Sequence, residues 1–278
     1  MESQPTVVPP PLQVRIADDL RMRIERRELR PGDSLPTLQE LGQQWGCSLN
    51  PVRAAITLLK QQGLITGGRG KAPVVRVPPR QVVRSSERHQ EEKDLVLAPE
   101  EVRGKIGTAE TEMKVDVAQL EVRSDYTVVP ADEEAARPLG VKPGTPVLRR
   151  IWEHVDPATG RREARSVSHI PKSLVESNPA LFDPNNEPWP GGTQHQLYTV
   201  GIEIIRIVDE VTATMPTTAV AQRWELESGV PMLLCRRISI DAHDRVVEIS
   251  DAEYPADRTM LSFTTPLKPW KADKREEG

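Results

Sequence analysis

Two short helix patterns separated by a very tight turn constrain the fold of this 278-residue chain most strongly. The first opens at Thr37, whose T-x-x-E spacing to Glu40 predicts a capping box, and it ends at Gly46. The second follows Ser48 and carries an inward apolar face up to Gly63, a typical helix-terminating residue. Two helices joined in this way are typical of a helix-turn-helix, whose second helix enters the major groove of DNA.

The flanking segments complete a winged helix-turn-helix over residues 1–77. Apolar residues that recur every four positions predict a helix over 12–29. Short apolar runs at 64–65 and 74–77 predict a β-hairpin, and its tip at 66–71 is basic and rich in glycine. We therefore expect this tip to reach the DNA backbone or the minor groove beside the second helix.

The side chains expected to contact DNA lie near the start of the second helix and at the hairpin tip. Arginine can donate to guanine or hold a phosphate, and asparagine can read adenine. Arg53 is the first choice for a DNA contact, to a base or to a phosphate. Asn50 either reads a base or caps the helix, and Ser48 either caps the helix or holds a phosphate. The candidate DNA contacts are Thr37, Gln39, Ser48, Leu49, Asn50, Arg53, Arg69, Gly70 and Lys71.

The rest of the chain divides into a linker, a larger domain and a tail. Residues 78–94 are polar and charged, which predicts a linker, open or partly helical, that transmits changes between the domains. Residues 95–268 are predicted to form an α+β domain with a mostly antiparallel sheet, and residues 269–278 a polar tail. Strands are predicted at 147–155, 164–170, 202–213, 232–241 and 245–251, and helices at 131–139, 193–200 and 217–226.

A faint internal repeat runs through the larger domain. Gly144-Thr-Pro-Val-Leu precedes a strand, a turn and a second strand, and Gly229-Val-Pro-Met-Leu precedes the same series 85 positions later. Each copy follows a short predicted helix. The pattern indicates duplicated half-units in one sheet, although a G-x-P sequence before a strand is also common by itself.

The charges are unevenly distributed along the chain. Residues 1–80 carry 12 Lys and Arg against 7 Asp and Glu, whereas the remainder carries 25 against 34. This distribution favours phosphate binding at one end only. The sequence has no membrane-length apolar run and no signal-peptide pattern, so we expect a cytoplasmic protein with no membrane partner. Cys47 and Cys235 lack metal-ligand spacing, so neither a metal nor a cofactor is expected.

The N-terminal region resembles the GntR family of winged-helix regulators. The resemblance covers about residues 12–77 and rests on the stretch Leu29-Arg-Pro-Gly-Asp-Ser-Leu-Pro-Thr, the segment Ser48-Leu-Asn-Pro-Val-Arg-Ala-Ala-Ile and the glycine-rich wing. It implies sequence-specific DNA binding and transcription regulation, more as a repressor than as an activator. Arg53 keeps the Val-Arg position of the family. The family usually has arginine at the positions of Gln39 and Leu49, and threonine or serine at that of Lys71.

The larger domain is similar to the UTRA domain of the HutC-type branch of that family, over about residues 105–265. The resemblance implies a chorismate-lyase-like fold that binds a small-molecule effector, in a homodimer on a palindromic operator. The insert at 187–193 resembles actinomycete members, some of which control plasmid transfer. The matching motifs are Gly144-x-Pro-Val-Leu, Gly201-Ile-Glu, Glu210-Val-x-Ala, Gly229-Val-Pro-Met-Leu, and Glu248-x-Ser250 ahead of Tyr254 and Asp257-Arg258.

One departure from the family concerns the effector site. Members with acidic effectors often carry an Arg-x-Arg pair where this chain has Trp152 and His154, so a bidentate grip on an anion is not implied here. Arg237 and Glu248 lie on adjacent predicted strands and form either part of the site or a cross-strand ion pair. The candidate effector-binding residues are Arg150, Trp152, His154, Ser166, Ser168, Thr193, His195, Arg237 and Glu248.

An enzyme is the alternative from another class. A chorismate-lyase-like enzyme, or a small-molecule binder with a vestigial winged helix, would use the histidines and serines of the larger domain. The sequence shows no nucleophile elbow, paired-carboxylate motif or phosphate loop. Ser168 and His169 are adjacent on a predicted strand and therefore point apart. We expect a regulator without catalytic activity.

Overall fold

The computed structural model describes residues 9–67, 72–105, 121–156 and 159–267. The N-terminal domain packs three helices around one apolar core, in which Ile16, Leu20 and Leu59 are fully buried. Its elements are α1 (Leu12–Glu25), α2 (Leu38–Trp45), α3 (Leu49–Gln61), β1 (Ile65–Thr66) and β2 (Val74–Val75). Strands β1 and β2 pair antiparallel, as expected for a wing.

Helix α2 has the caps that the sequence predicts. The Thr37 hydroxyl accepts the Glu40 N–H at 3.2 Å, and the Glu40 carboxylate accepts the Thr37 N–H at 2.7 Å. The helix ends at Gly46, whose φ of 59° lies in the left-handed region that favours glycine. The two caps keep α2 short and set the turn into α3.

Loss of the N-terminal cap is expected to destabilise α2. Thr37→Ala should lower the free energy of opening of this helix by about 1 kcal/mol, because the Glu40 amide then loses its acceptor. Thr37→Ser keeps the hydroxyl and should remain near the wild type. Amide hydrogen exchange across α2 measures the free energy of opening in both variants. Equal exchange in Thr37→Ala and Thr37→Ser would contradict a capping role of the Thr37 hydroxyl.

The segment expected to be a linker is folded onto the C-terminal domain. Strand β3 (Val82–Ser85) pairs in parallel with β10 (Thr259–Ser262), and α4 (Arg88–Leu95) follows it directly. A short helix, α5 (Glu100–Arg103), comes next. The polar composition of 78–94 therefore does not indicate an open connection, because this segment is held by backbone and side-chain hydrogen bonds.

The C-terminal domain is built on a six-stranded antiparallel sheet, which confirms the predicted α+β class. The strand order is β4-β5-β6-β9-β8-β7. The strands are β4 (Glu121–Pro130), β5 (Pro146–Val155), β6 (Arg162–Pro171), β7 (Ile204–Thr214), β8 (Met232–Asp241) and β9 (Val246–Pro255). The helices are α6 (Glu133–Leu139), α7 (Lys172–Val175), α8 (Gly192–Tyr198) and α9 (Thr218–Arg223). The predicted tail at 269–278 lies outside the described residues.

The internal repeat is visible in the topology of this sheet. Each half consists of a strand, a short helix and a hairpin: β4, α6, β5 and β6 in the first, and β7, α9, β8 and β9 in the second. Strands β6 and β9 meet at the centre of the sheet, and β4 and β7 form its outer edges. The interpretation as two duplicated half-units agrees with this arrangement.

Both faces of the sheet are covered, and one face leaves space for a cavity. Val147 and Leu148 are neighbours on β5, so they point to opposite faces. Val147 packs against Ala135 and Leu139 of α6. Leu148 packs against Leu197 of α8, and the cavity described below lies on this second face.

Within the described ranges, no helix combines the length and the apolar character needed to cross a membrane. The same ranges contain no cluster of three or more histidine, cysteine, aspartate or glutamate side chains placed to hold a metal ion.

Candidate functional sites

The start of α3 presents polar side chains to solvent. Ser48, Asn50 and Arg53 are all exposed, whereas Val52 between them is fully buried in the core. Ser48 occupies the N-cap position of α3, but its side chain makes no capping hydrogen bond. Its hydroxyl and the guanidinium of Arg53 are therefore available at the end of the helix that enters DNA in helix-turn-helix proteins.

The start of α2 and the turn before α3 contribute the other candidates of this surface. Gln39, Ser48 and Leu49 line one shallow depression together with Gln43. Leu49 is only half-exposed, and the Thr37 hydroxyl is already engaged in the helix cap. The remaining candidates, Arg69, Gly70 and Lys71, lie outside the described residues.

A cavity of about 640 Å³ lies between the sheet of the C-terminal domain and a roof formed by α4, α8 and residues 187–189. This volume is within the usual range for small-molecule sites. Six of the nine candidate effector-binding residues line the cavity: Trp152, His154, Ser166, Thr193, Arg237 and Glu248. Burial lowers the pKa of His154 to about 4, so its imidazole is neutral at physiological pH.

Arg150 lies beneath the cavity wall and does not line it. Its side chain is 1% exposed, and its Nη2 donates to Glu248 Oε1 at 2.7 Å and to Ser168 Oγ at 3.2 Å. Its Nη1 donates to Gln196, and its guanidinium lies 4.7 Å from the ring centroid of Trp152. Arg150 and Ser168 thus hold Glu248 and Trp152 in place, instead of facing a ligand as expected.

The suggested ion pair between Arg237 and Glu248 does not form. Arg237 pairs with Asp209 at 2.9 Å, and Glu248 pairs with Arg150. Strand register is the reason, because Arg237 stands opposite Ser250 and Glu248 opposite Ser239. Each charged group on the cavity floor therefore has a different partner from the one that strand adjacency indicated.

His195 is also displaced from the cavity. It lies on α8, but its Nδ1 accepts the indole N–H of Trp189 at 2.9 Å, and it is not part of the cavity lining. Thr193, two residues earlier, lines the cavity as expected. His195 instead helps to hold the loop that precedes α8.

Comparison with known proteins places both domains in one family of regulators. Residues 12–75 match the family described as "Bacterial regulatory proteins, gntR family", and residues 124–259 match the UTRA domain. The chain belongs to the GntR family. It is a UTRA-containing GntR transcriptional regulator, in which the N-terminal domain binds DNA and the C-terminal domain binds a small-molecule effector.

Curated relatives resemble this GntR regulator over most of its length. The transcriptional repressor NagR of Bacillus subtilis is 26% identical, over 90% of this chain and 93% of the relative. The transcriptional repressor PhnF of Mycolicibacterium smegmatis is 27% identical, over 86% of each chain. The expectation of a regulator and not an enzyme is confirmed by these relatives.

A solved structure supports the fold of the GntR regulator. A chain described as a GntR-family transcriptional regulator superimposes with a TM-score of 0.68 at 23% identity, and the match covers 93% of this chain and 98% of that one. The winged helix and the antiparallel α+β domain are therefore both found together in a known protein.

The roof of the cavity in this GntR regulator contains residues that the sequence did not indicate. In α4, His89, Glu92 and Leu95 line the cavity. The His89 Nε2 lies 3.3 Å from the Asp209 carboxylate, and Glu92 accepts the Gln194 N–H at 2.9 Å. Because α4 has no apolar stripe, no pattern in the sequence predicts that it covers a cavity.

Hydrogen bonds and ion pairs between charged side chains hold α4 against the sheet. Burial by itself would raise the pKa of Asp209, but hydrogen bonds from His89 and Arg237 lower this pKa well below its usual range. Lys93 adds a hydrogen bond to the Ile204 carbonyl at 2.8 Å and an ion pair with Glu203 at 2.9 Å. The roof is thus attached mainly by polar contacts, which water can replace more readily than an apolar core.

A second charged cluster lies beside the cavity. Arg258 is 2% exposed and its Nη1 lies 3.7 Å from the carboxylate of Glu163, which is 7% exposed. Burial raises the pKa of Glu163 from 4.5 to about 7, and Arg258 opposes this rise only in part. Glu163 therefore binds its proton more tightly in the folded protein than in the unfolded chain.

This tight proton binding predicts a pH dependence of stability. The protonated Glu163 makes a favourable contribution to the free energy of unfolding. This contribution is fully present below about pH 4.5 and is lost as the pH rises through about 7. Glu163→Gln should remove that loss and raise the free energy of unfolding at pH 8 by on the order of 2 kcal/mol. Urea unfolding between pH 5 and 8 measures the free energy of unfolding of the wild type and of this variant, with the exposed Glu176→Gln as control. A wild-type stability that rises over that range in parallel with the Glu163→Gln variant would contradict the prediction.

Proposed function

We propose that this GntR regulator is a cytoplasmic repressor that binds a palindromic operator as a homodimer and is controlled by a small molecule in the cavity of its C-terminal domain. The observation that carries the proposal is the joint presence of two features in one chain. The polar start of α3, with Arg53, is exposed, and a cavity of about 640 Å³ lies in the other domain. The relatives NagR and PhnF, which are named repressors, support the direction of control.

The edges of the sheet support the homodimer. Strand β7 is an outer strand, and its apolar residues Ile205, Val208 and Val211 are exposed by 52%, 37% and 38%. An outer strand with exposed apolar side chains is a natural surface for pairing with a second copy. In such a dimer the two α3 helices would enter successive major grooves about 34 Å apart.

The test is DNA binding by the full-length protein. Fluorescence anisotropy compares the DNA upstream of its own gene with a scrambled duplex of equal length at two salt concentrations. We expect tighter binding to the upstream DNA with a stoichiometry of two chains per site, and sedimentation equilibrium should give a dimer without DNA. Equal affinity for both duplexes at both salt concentrations would contradict sequence-specific repression.

The effector is sought with the same complex. Small molecules that raise the melting temperature of the full-length protein are added to the protein–DNA complex, and dissociation is followed by anisotropy. A ligand of the cavity should lose its effect when Trp152 is replaced by alanine, since this ring forms part of the wall. A ligand that acts equally on the Trp152→Ala variant would bind elsewhere.

A further inference from the structure

The two domains approach each other backbone to backbone at one pair of turns. Gly63, which ends α3, lies against Ser228 and Gly229 in the turn before β8. A Cβ added to Gly229 would lie 2.5 Å from the Gly63 nitrogen and would also clash with the Gln61 carbonyl. A Cβ added to Gly63 would lie 3.0 Å from the Ser228 carbonyl. This contact therefore has no room for a side chain at Gly229.

An ion pair joins the same two domains. Arg76, just beyond β2 of the wing, pairs with Asp257 in the turn between β9 and β10. The two side chains are only 15% and 7% exposed, so neither charge is fully solvated. Asp257 also accepts the Arg258 Nε–H at 3.1 Å. Separation of the domains would remove the Arg76 guanidinium from the Asp257 carboxylate.

The repeat shows which property of Gly229 is specific to the contact. Gly144 occupies the equivalent turn of the first half-unit, and the two residues have φ values of +86° and +81°. Both turns thus need the left-handed conformation that glycine provides. Around Gly144, however, an added Cβ would meet nothing within 4 Å. The close approach at Gly229 is not a requirement of the turn itself but of the domain contact.

We propose that the Gly63–Gly229 contact and the Arg76–Asp257 ion pair form a docking interface that holds the winged helix on its own C-terminal domain in one fixed orientation. The interface uses the last turn of α3 and leaves its first turn, with Asn50 and Arg53, exposed about 15 Å away along the helix. The docked domain can therefore still present its polar surface. Docking determines the direction in which that surface points.

The interface is connected to the cavity, and this connection rests on the proposed function. Tyr254 lines the cavity three residues before Asp257, and the Arg84 guanidinium lies 4.4 Å from the centroid of its ring. Arg84 belongs to β3, whose first residue Val82 donates a hydrogen bond to the Arg258 carbonyl at 2.7 Å. A ligand that moves Tyr254 or Arg84 therefore acts directly on the segment that carries Asp257.

The docking test compares two glycine variants of the full-length protein in the absence of DNA and effector. Gly229→Ala adds strain at a positive φ and a clash with α3, whereas Gly144→Ala adds only the equivalent strain. Trypsin cleavage after Arg80, an exposed residue between the domains, follows the undocked population. We expect cleavage of Gly229→Ala to be at least about tenfold faster than that of the wild type, and Gly144→Ala to stay within about twofold. The radius of gyration from small-angle scattering should increase only for Gly229→Ala.

A third variant separates docking from local folding. Arg76→Gln removes the ion pair without changing a glycine, and it should accelerate the same cleavage severalfold. The docking interface would be overturned if Gly229→Ala and Gly144→Ala were cleaved at equal rates. It would also be overturned if neither Gly229→Ala nor Arg76→Gln were cleaved faster than the wild type. Because neither DNA nor effector is present, this result is independent of the anisotropy test of the proposed function.

Discussion

Replacement of Arg150 by methionine is expected to lower the free energy of unfolding of the C-terminal domain by about 3–5 kcal/mol. Arg150 and Glu248 have side chains that are 1% and 5% exposed, so the change leaves a buried carboxylate without its cation. The variant also removes the donors to Ser168 and Gln196. Urea unfolding followed by tryptophan fluorescence measures the loss.

Two comparisons identify burial as the cause of this effect. Arg21 pairs with Glu25 at 2.8 Å, but both side chains are at least half-exposed, so the stability of Arg21→Met should stay close to that of the wild type. The double variant Arg150→Met/Glu248→Gln should recover part of the loss, because no full charge then remains buried. If Arg150→Met and Arg21→Met had similar effects, the network around Glu248 would not be important for stability.

Replacement of Arg53 by alanine is expected to weaken operator binding by about 1–3 kcal/mol, or roughly 5- to 150-fold. The side chain is exposed on α3, one turn from its start, and no hydrogen bond within the described chain engages its guanidinium. The folded state therefore should not be affected. Anisotropy titration of the upstream DNA and of a scrambled duplex measures the loss, with the exposed Arg137→Ala on α6 of the C-terminal domain as the control.

The two duplexes distinguish two roles for Arg53. A loss confined to the upstream DNA indicates a base contact, because base contacts carry the sequence preference. An equal loss on both duplexes indicates a phosphate contact and should reduce the salt dependence of binding by about one ion. An affinity equal to that of the wild type on both duplexes would remove Arg53 from the interface.

The winged helix was predictable because its signals are local. The capping box of Thr37, the left-handed Gly46 and the apolar faces of α1 and α3 each depend on residues within a few positions of one another. The hairpins of the larger domain are local in the same sense, since alternating side chains and short turns determine them. The predicted boundaries lie within a few residues of those of the structure, although the first helix ends at Glu25 instead of residue 29 and β4 was not predicted.

The parts that the sequence could not predict depend on distant residues. Strand β3 pairs with β10, which lies 177 positions further along the chain, and no local pattern links the two. Helix α4 covers the cavity through polar contacts and lacks an apolar stripe, so its sequence is typical of a linker. The partners of Arg150 come from β6, α8 and β9, and only the register of the folded sheet brings them together.

The parallel pairing of β3 with β10 also has a consequence for synthesis of the protein. The N-terminal domain leaves the ribosome first and contains all of its own core, so it can fold before the larger domain is complete. Strand β3 can pair only after residues 259–262 of β10, nearly at the end of the described chain, have been synthesised. The joint between the two domains is therefore the last part to assemble. A nascent chain that stops before residue 259 would carry a finished winged helix without the strand that attaches it to its sensor.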